Sequence, residues 1–440
     1  MLKRWYNNLV IYFISKEKHM SILYSREKIS DSIGFTRIID SKFKTNTINL
    51  KFITELKKET ASINSIVAGI LGSSNSKYKN LTELTARLNS LYGTDIGVSI
   101  TKRGDVQVMA ISISSIDNNY TLDGEDITSE VLDIYLDCLF APYVENGGFG
   151  DEIFSFRKKD LLDSIDSEIN NKRSYAILQA HKHIFEGEPS ASSSYGTRKT
   201  AENITPVMAY EAYKEIIRTS QIEVYYVGAK ENPLIKEKLT SAFLKLNRNP
   251  QNIVLNNNSP IKKEVKEVVE KLDVSQSKMV MAFKTDYADL YAIKLMSTLL
   301  GETPFSKLFA NVREKLSLCY YCASGFNDSK GTLMIDSGVE NANVGKARVE
   351  ILNQLDDIRK GNFTDEEMSN SVLSILNSLK GVSDTPSSLV NWYFSRFCRG
   401  EIITPDEEIS RIKAVTREQI IEAANSFKLD TVYVMTGEEE

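Results

Sequence analysis

Histidine is the scarcest chemistry-bearing residue in this chain: 440 residues carry only three, His19, His181 and His183. The close pair, His181 and His183, is two apart, so on a helix its rings point ~200° apart and share no face. They read as surface histidines, not metal ligands. Cysteine is nearly as rare, and Cys138, Cys319, Cys322 and Cys398 are too few and too scattered for a disulfide framework. A reducing cytoplasm suits that usage. Cys319-Tyr-Tyr-Cys322 has redox spacing, but residues three apart on a strand face opposite sides, so two separate core or half-buried thiols are expected. No apolar run approaches the ~20 residues of a membrane-spanning helix. Charge of one sign is not in excess either: the net charge of -5 gives no reason to expect nucleic acid or an acidic surface as partner. There is no G-x-S-x-G elbow, and no Ser or Cys has a recognisable His partner. The run from Gly147 to Gly150 lacks a following phosphate-loop Lys-Ser or Lys-Thr, and reads as a loop before a helix.

What is present is ordinary globular composition, 42% hydrophobic and 26% charged, over a length that predicts two large domains or three of about 150 residues. The first nineteen residues set basic residues before a short apolar run, but no small-residue cleavage site follows. They read as an extension, and Met20 is an alternative start. Alternation in TINLKF predicts a strand over 47–52, and a helix begins at 62–71. Leu81, Leu84, Leu88 and Leu91 share one face of a helix over 80–92, which Gly93 stops. Strands at 96–101 and 106–114 form a hairpin across Arg103-Gly104-Asp105. Helices follow at 127–140, 151–170, 175–185 and 206–218, then a strand at 222–227. Residues 262–271, KKEVKEVVEK, alternate in charge and read as a solvated strand or helix edge, and Glu438 to Glu440 as a solvated acidic tail.

The second half repeats this order. Phe149-Gly-Asp-Glu-Ile matches Phe363-Thr-Asp-Glu-Glu at an offset of 214, Leu162 and Ile165 match Leu376 and Leu379, and Ile204-Thr205 matches Val415-Thr416 at 211. The prediction is an α+β chain of two homologous halves, each an antiparallel sheet packed with helices. The halves span 31–246 and 264–440, after an extension over 1–30. They are joined by a polar, Asn-rich linker at 247–263 that is a candidate hinge.

The densest pattern is residues 305–331, FSKLFANVREKLSLCYYCASGFNDSKG. Phe305, Leu308, Phe309 and Val312 predict an amphipathic helix, and 318–323 a strand. Arg313 near the helix end and Tyr320 seven residues on could hold a peptide main chain, guanidinium to carbonyl and phenol as donor or acceptor. An ion-pair partner and a core ring are the plain alternative. An edge strand at 278–284 could add a peptide by strand pairing.

With the duplicated half and SKLFANVREKLSLCYY together, the chain resembles the M16 (insulinase/pitrilysin-like) metallopeptidase family over nearly everything beyond residue 30. The resemblance implies an M16 peptidase-like (LuxS/metallohydrolase-like) fold that forms half of a clamshell around an extended peptide. Active members bind zinc through His-x-x-Glu-His and a downstream Glu, the motif's own Glu acting as base. Aligned on the helix ending LNSLYG, the motif maps onto Ile66-Val67-Ala68-Gly69-Ile70: Ile66 and Ile70 take the ligand positions and Gly69 the base. RKKDLLDSI sets Arg157 and Ser164 where carboxylates would sit, so no zinc site is expected here. The Arg313–Tyr320 spacing is similar to the family's pair that reaches a partner's zinc site and positions substrate. The resemblance therefore implies a non-catalytic subunit with no cofactor of its own. Its partner would be a zinc-bearing paralogue, with a peptide-binding homodimer as the alternative. YGT at Tyr92 to Thr94 and NVREKLSLCYY look closest to the zinc-free chain of bacterial pairs, sometimes associated with modification of translation elongation factor P.

Overall fold

The computed structural model describes residues 22–437. The first nineteen residues and the acidic tail therefore lie outside the described residues. Contacts divide the chain into two units, and the division does not follow the chain: residues 167–192 group with the second unit and 386–391 with the first.

In the first unit, β1 (Leu23–Ser30), β2 (Ile33–Ile39), β3 (Thr45–Glu55), β4 (Asp95–Arg103), β5 (Val106–Ile116) and β6 (Gln221–Gly228) form one sheet in the order β1-β2-β6-β3-β5-β4. Alternation drives the long central strands: Ile48, Leu50 and Phe52 of β3 meet Met109, Ile111 and Ile113 of β5 on one buried face. Helices α1 (Ala61–Leu71), α2 (Leu81–Ser90) and α3 (Asp151–Asp166) lie among those that cover this sheet. Asn80 caps α2 by accepting from the Glu83 amide at 3.0 Å, and Tyr92 and Gly93 then turn the chain through positive φ into β4. The hairpin expected across Gly104 is present, with Gly104 left-handed. One boundary differs from the sequence reading. The sequence places residues 1–30 outside the first half, yet Leu23–Ser30 is a paired strand whose Arg26 reaches the buried Glu223 on β6, at 3.2 Å from Nε and 2.7 Å from Nη2.

In the second unit, helix α4 (Lys172–Ile184) precedes β7 (Lys266–Lys271), β8 (Ser277–Lys284), helix α5 (Leu290–Ser297), β9 (Cys319–Asn327), β10 (Thr332–Val339) and β11 (Lys428–Thr436). Their sheet runs β9-β10-β8-β11-β7. It retraces the first: β8 pairs with β10 and β11 as β3 does with β5 and β6, and β9 borders β10 as β4 borders β5. The duplication read from sequence thus reappears in five strands of each sheet, β1 having no counterpart among the described residues. Neither sheet is wholly antiparallel, because β2 with β6 and β7 with β11 are parallel pairs. Each pair joins strands separated by many intervening elements, as a parallel pair requires. One face of the second sheet packs Met279, Met281 and Leu333 into a helical core, and α4 covers the other against Val280, Ala282 and Tyr433. The strand at 278–284 is therefore central and fully buried, not the edge expected from sequence. The edges are β9 and β7.

The linker is pinned at both ends. The Asn249 and Gln251 amides donate to carbonyls of Arg218 and Thr219, while Asn257 and Ser259 donate to Ser329 and Lys330 and the Lys262 amide to Asp430. Within this linker, mobility would therefore concentrate at residues 252–255. Hydrogen exchange is expected to be slower at those bonded amides than over 252–255. Uniform protection from 249 to 262 would refute a hinge.

Candidate functional site

In the first unit, α1, α2, β4 and Arg157 of α3 enclose an open cleft of about 520 Å³. The face of α1 that meets it is Ser65, Gly69 and Gly72, four and three residues apart. Ile66 and Ile70, assigned from alignment to the ligand positions, are instead 1% and 0% exposed in the core. A ligand pair facing the cleft would thus stand at Ser65 and Gly69, one residue earlier. Gly72 lets α1 approach the edge strand, since a Cβ there would run into Val98.

The Arg157 side chain lies across Gly69, and a Cβ on that glycine would meet Arg157 Cδ at 3.1 Å. Arg157 Nε donates to Ser73 Oγ at 2.8 Å, Nη2 donates to the same oxygen, and Nη1 donates to Asp160 at 2.8 Å. Ser73 Oγ in turn donates to the Gly69 carbonyl at 2.6 Å. Ser164 sits outside the cleft lining and donates to the Asp160 carbonyl at 2.8 Å. Two isoleucines in the core, a glycine, a back-bonded serine and a tethered guanidinium do not fit zinc in either register. Among the described residues, no group of three or more His, Cys, Asp or Glu is arranged to hold a metal ion. His181 meets the ring of Phe185, and His183 stacks on Tyr433 at 6.2 Å. Adding histidines alone is accordingly expected to fail: S65H/G69H should retain well under one zinc per chain after dialysis, because the guanidinium fills the space and repels the cation. Stoichiometric zinc by emission spectroscopy would refute this.

What remains is a polar cleft floored by an edge strand. Among the described residues β4 has no strand on its outer side, so its backbone groups can accept an extended segment.

In the second unit, the helix expected from Phe305 onward forms over Leu308–Lys315 as a wider π-helix, and the Leu316 amide donates to Asn311 five residues back at 3.1 Å. Leu308 and Val312 are buried as the pattern required, whereas Phe305 stays exposed. Ser317 takes positive φ and turns the chain into β9. Arg313 lies over the Phe309 ring at 4.5 Å and 3.5 Å from Glu314. Tyr320 is 58% exposed, at the start of the edge strand β9, and its hydroxyl donates to Glu340 at 3.3 Å. Both are thus polar, outward groups on one turn-and-strand unit, and neither is a core residue. Sequence reasoning missed Ser73, whose hydroxyl steers Arg157, because nothing in its local pattern marks it.

Residues 203–373 match the family model described as the peptidase M16 inactive domain. Over 422 residues the chain is 27% identical to the probable inactive metalloprotease YmfF of Bacillus subtilis, covering 94% of this chain and 99% of that one. The chain is M16-like, and the family model and the relative it matches are both described as inactive. A conserved protein from Enterococcus faecalis has a solved structure that superposes with a TM-score of 0.87 at 25% identity, covering 95% of this chain and 99% of that chain. A peptidase M16 inactive domain from Pseudomonas fluorescens superposes at 0.78 and 15% identity, over 95% and 98%, and shares the fold. Nothing in these relatives' names bears on elongation factor P. No helix among the described residues is long and apolar enough to cross a membrane.

Proposed function

We propose that this M16-like chain is the non-catalytic member of a heterodimeric cytoplasmic peptidase. Its partner is a zinc-bearing M16 paralogue, and an extended peptide is the substrate. The carrying observation is a contrast within one chain: the motif helix holds no ligand set and Arg157 lies across Gly69, whereas Arg313 and Tyr320 are outward polar groups beside an edge strand. Arg313 would donate to a peptide carbonyl and Tyr320 to the main chain or to a developing oxyanion. Zinc and the attacking water belong to the partner. Four free cysteines fit a reducing compartment.

The test is peptide hydrolysis with zinc supplied, by the chain alone and mixed with the paralogue. Silence alone and turnover in the mixture is the expected result. Silence in both, with peptide retained by a two-fold homodimer, would favour a peptide-binding scaffold, for which the cleft beside β4 is a ready site. Turnover by the chain alone would overturn both readings.

A further inference from the structure

Cys319 and Cys322 lie at the irregular start of β9. The register steps from Cys319 opposite Val339 to Tyr321 opposite Gly338, so Tyr320 is an extra residue on its strand. A bulge of this kind shifts the alternation by one. Cys319 and Cys322, expected on opposite faces, therefore both enter the core that holds Met279, Val312 and Leu333. Tyr321 goes to the other side, under the Arg173 guanidinium at 4.3 Å, and Tyr320 to solvent.

The bulge sets the two thiols on one side of the strand in one core, where each acts on the other's ionisation. Cys322 holds the Cys319 thiol below its ordinary value against the opposing effect of burial, with the Arg313 charge helping. Cys319, together with burial, pushes the Cys322 thiol well up. One sulfur is thus suited to attack and its neighbour to resolve. Cys138, by contrast, is pushed up to about 12 by burial.

We propose that Cys319 and Cys322 form a redox-responsive dithiol that closes to a disulfide on meeting a hydroperoxide. The Cys319 thiolate attacks one peroxide oxygen and the O–O bond breaks. The departing hydroxide takes up a proton as water and leaves a sulfenic acid. The Cys322 sulfur then attacks that of Cys319, the S–O bond breaks, and the second water carries off the Cys322 proton. Two thiols lose two electrons and two protons, and one hydrogen peroxide becomes two waters.

Disulfide Cα atoms stand within about 7 Å, so closure fixes the spacing across the bulge and constrains the arch of Tyr320 and Tyr321 that it encloses. Resting on the peptide-holding reading above, oxidation re-aims the Tyr320 phenol.

The purified full chain, treated with a few equivalents of hydrogen peroxide, alkylated and cut with trypsin, gives residues 316–330 with both sulfurs on one fragment. That fragment is expected to lose two hydrogens and escape alkylation, and dithiothreitol to restore both sites, while Cys138 and Cys398 stay alkylated throughout. A fragment that remains a dithiol, or gains oxygen without the two-hydrogen loss, overturns the proposal. In Cys322→Ser, where no thiol resolves the sulfenic acid, Cys319 is expected to gain two oxygens; a Cys319 that stays reduced there also overturns it. Failure on the isolated chain would leave the heterodimer reading standing. Unchanged kinetics of Arg313→Ala in the pair would leave the dithiol standing.

Discussion

Arg313→Ala in the reconstituted pair is expected to lower kcat/KM on peptides on the order of 10²-fold, with zinc content and pairing unchanged. A positioned charged donor aimed at a carbonyl that gains charge contributes more in the transition state than in the ground state, and losses of that size are usual when such a donor is removed. Tyr320→Phe should cost roughly two- to tenfold, because a neutral hydroxyl contributes roughly 0.5–1.5 kcal/mol. Since Tyr320 is exposed and Arg313 lies on the surface of its helix against Phe309, neither change should unfold the chain. A kcat loss would place Arg313 at the reacting carbonyl, and a KM rise with kcat intact would place it on a remote part of the peptide. Kinetics equal to those of the unaltered pair for both variants would end the assignment.

Arg26→Met is expected to destabilise the first unit by about 3–5 kcal/mol, the usual cost of stranding one member of a buried ion pair. Glu223 is 1% exposed at the centre of the sheet, and its carboxylate takes both Arg26 bonds. Gly34 stands beside the pair, where a Cβ would collide with both side chains. Urea denaturation measures the effect as a lower midpoint. Arg26→Met with Glu223→Gln should recover most of the loss, because a neutral amide tolerates burial better than an unpaired carboxylate. A single-variant unfolding free energy within about 1 kcal/mol of the parent's would sink the argument.

The sequence by itself determined the duplicated α+β plan, because helix and strand periods are local and each half writes the same order of them. The helices around Leu84 and Val131 and the hairpin across Gly104 could be read directly, each needing only its own pattern and turn residue. The shortage of histidine likewise excluded a His-x-x-Glu-His motif, since a count needs no alignment. Tertiary structure alone decided three things. It turned Ile66 and Ile70 inward and Ser65 and Gly69 toward the cleft, because a helix face is chosen by what packs on it, and a shift of one residue rotates the side chains by about 100°. It buried 278–284 between two strands, since an edge and a centre differ in neighbours, not in sequence pattern. It also brought Cys319 and Cys322 to one face, because a bulge is set by the partner strand's register, which the spacing of two cysteines does not contain.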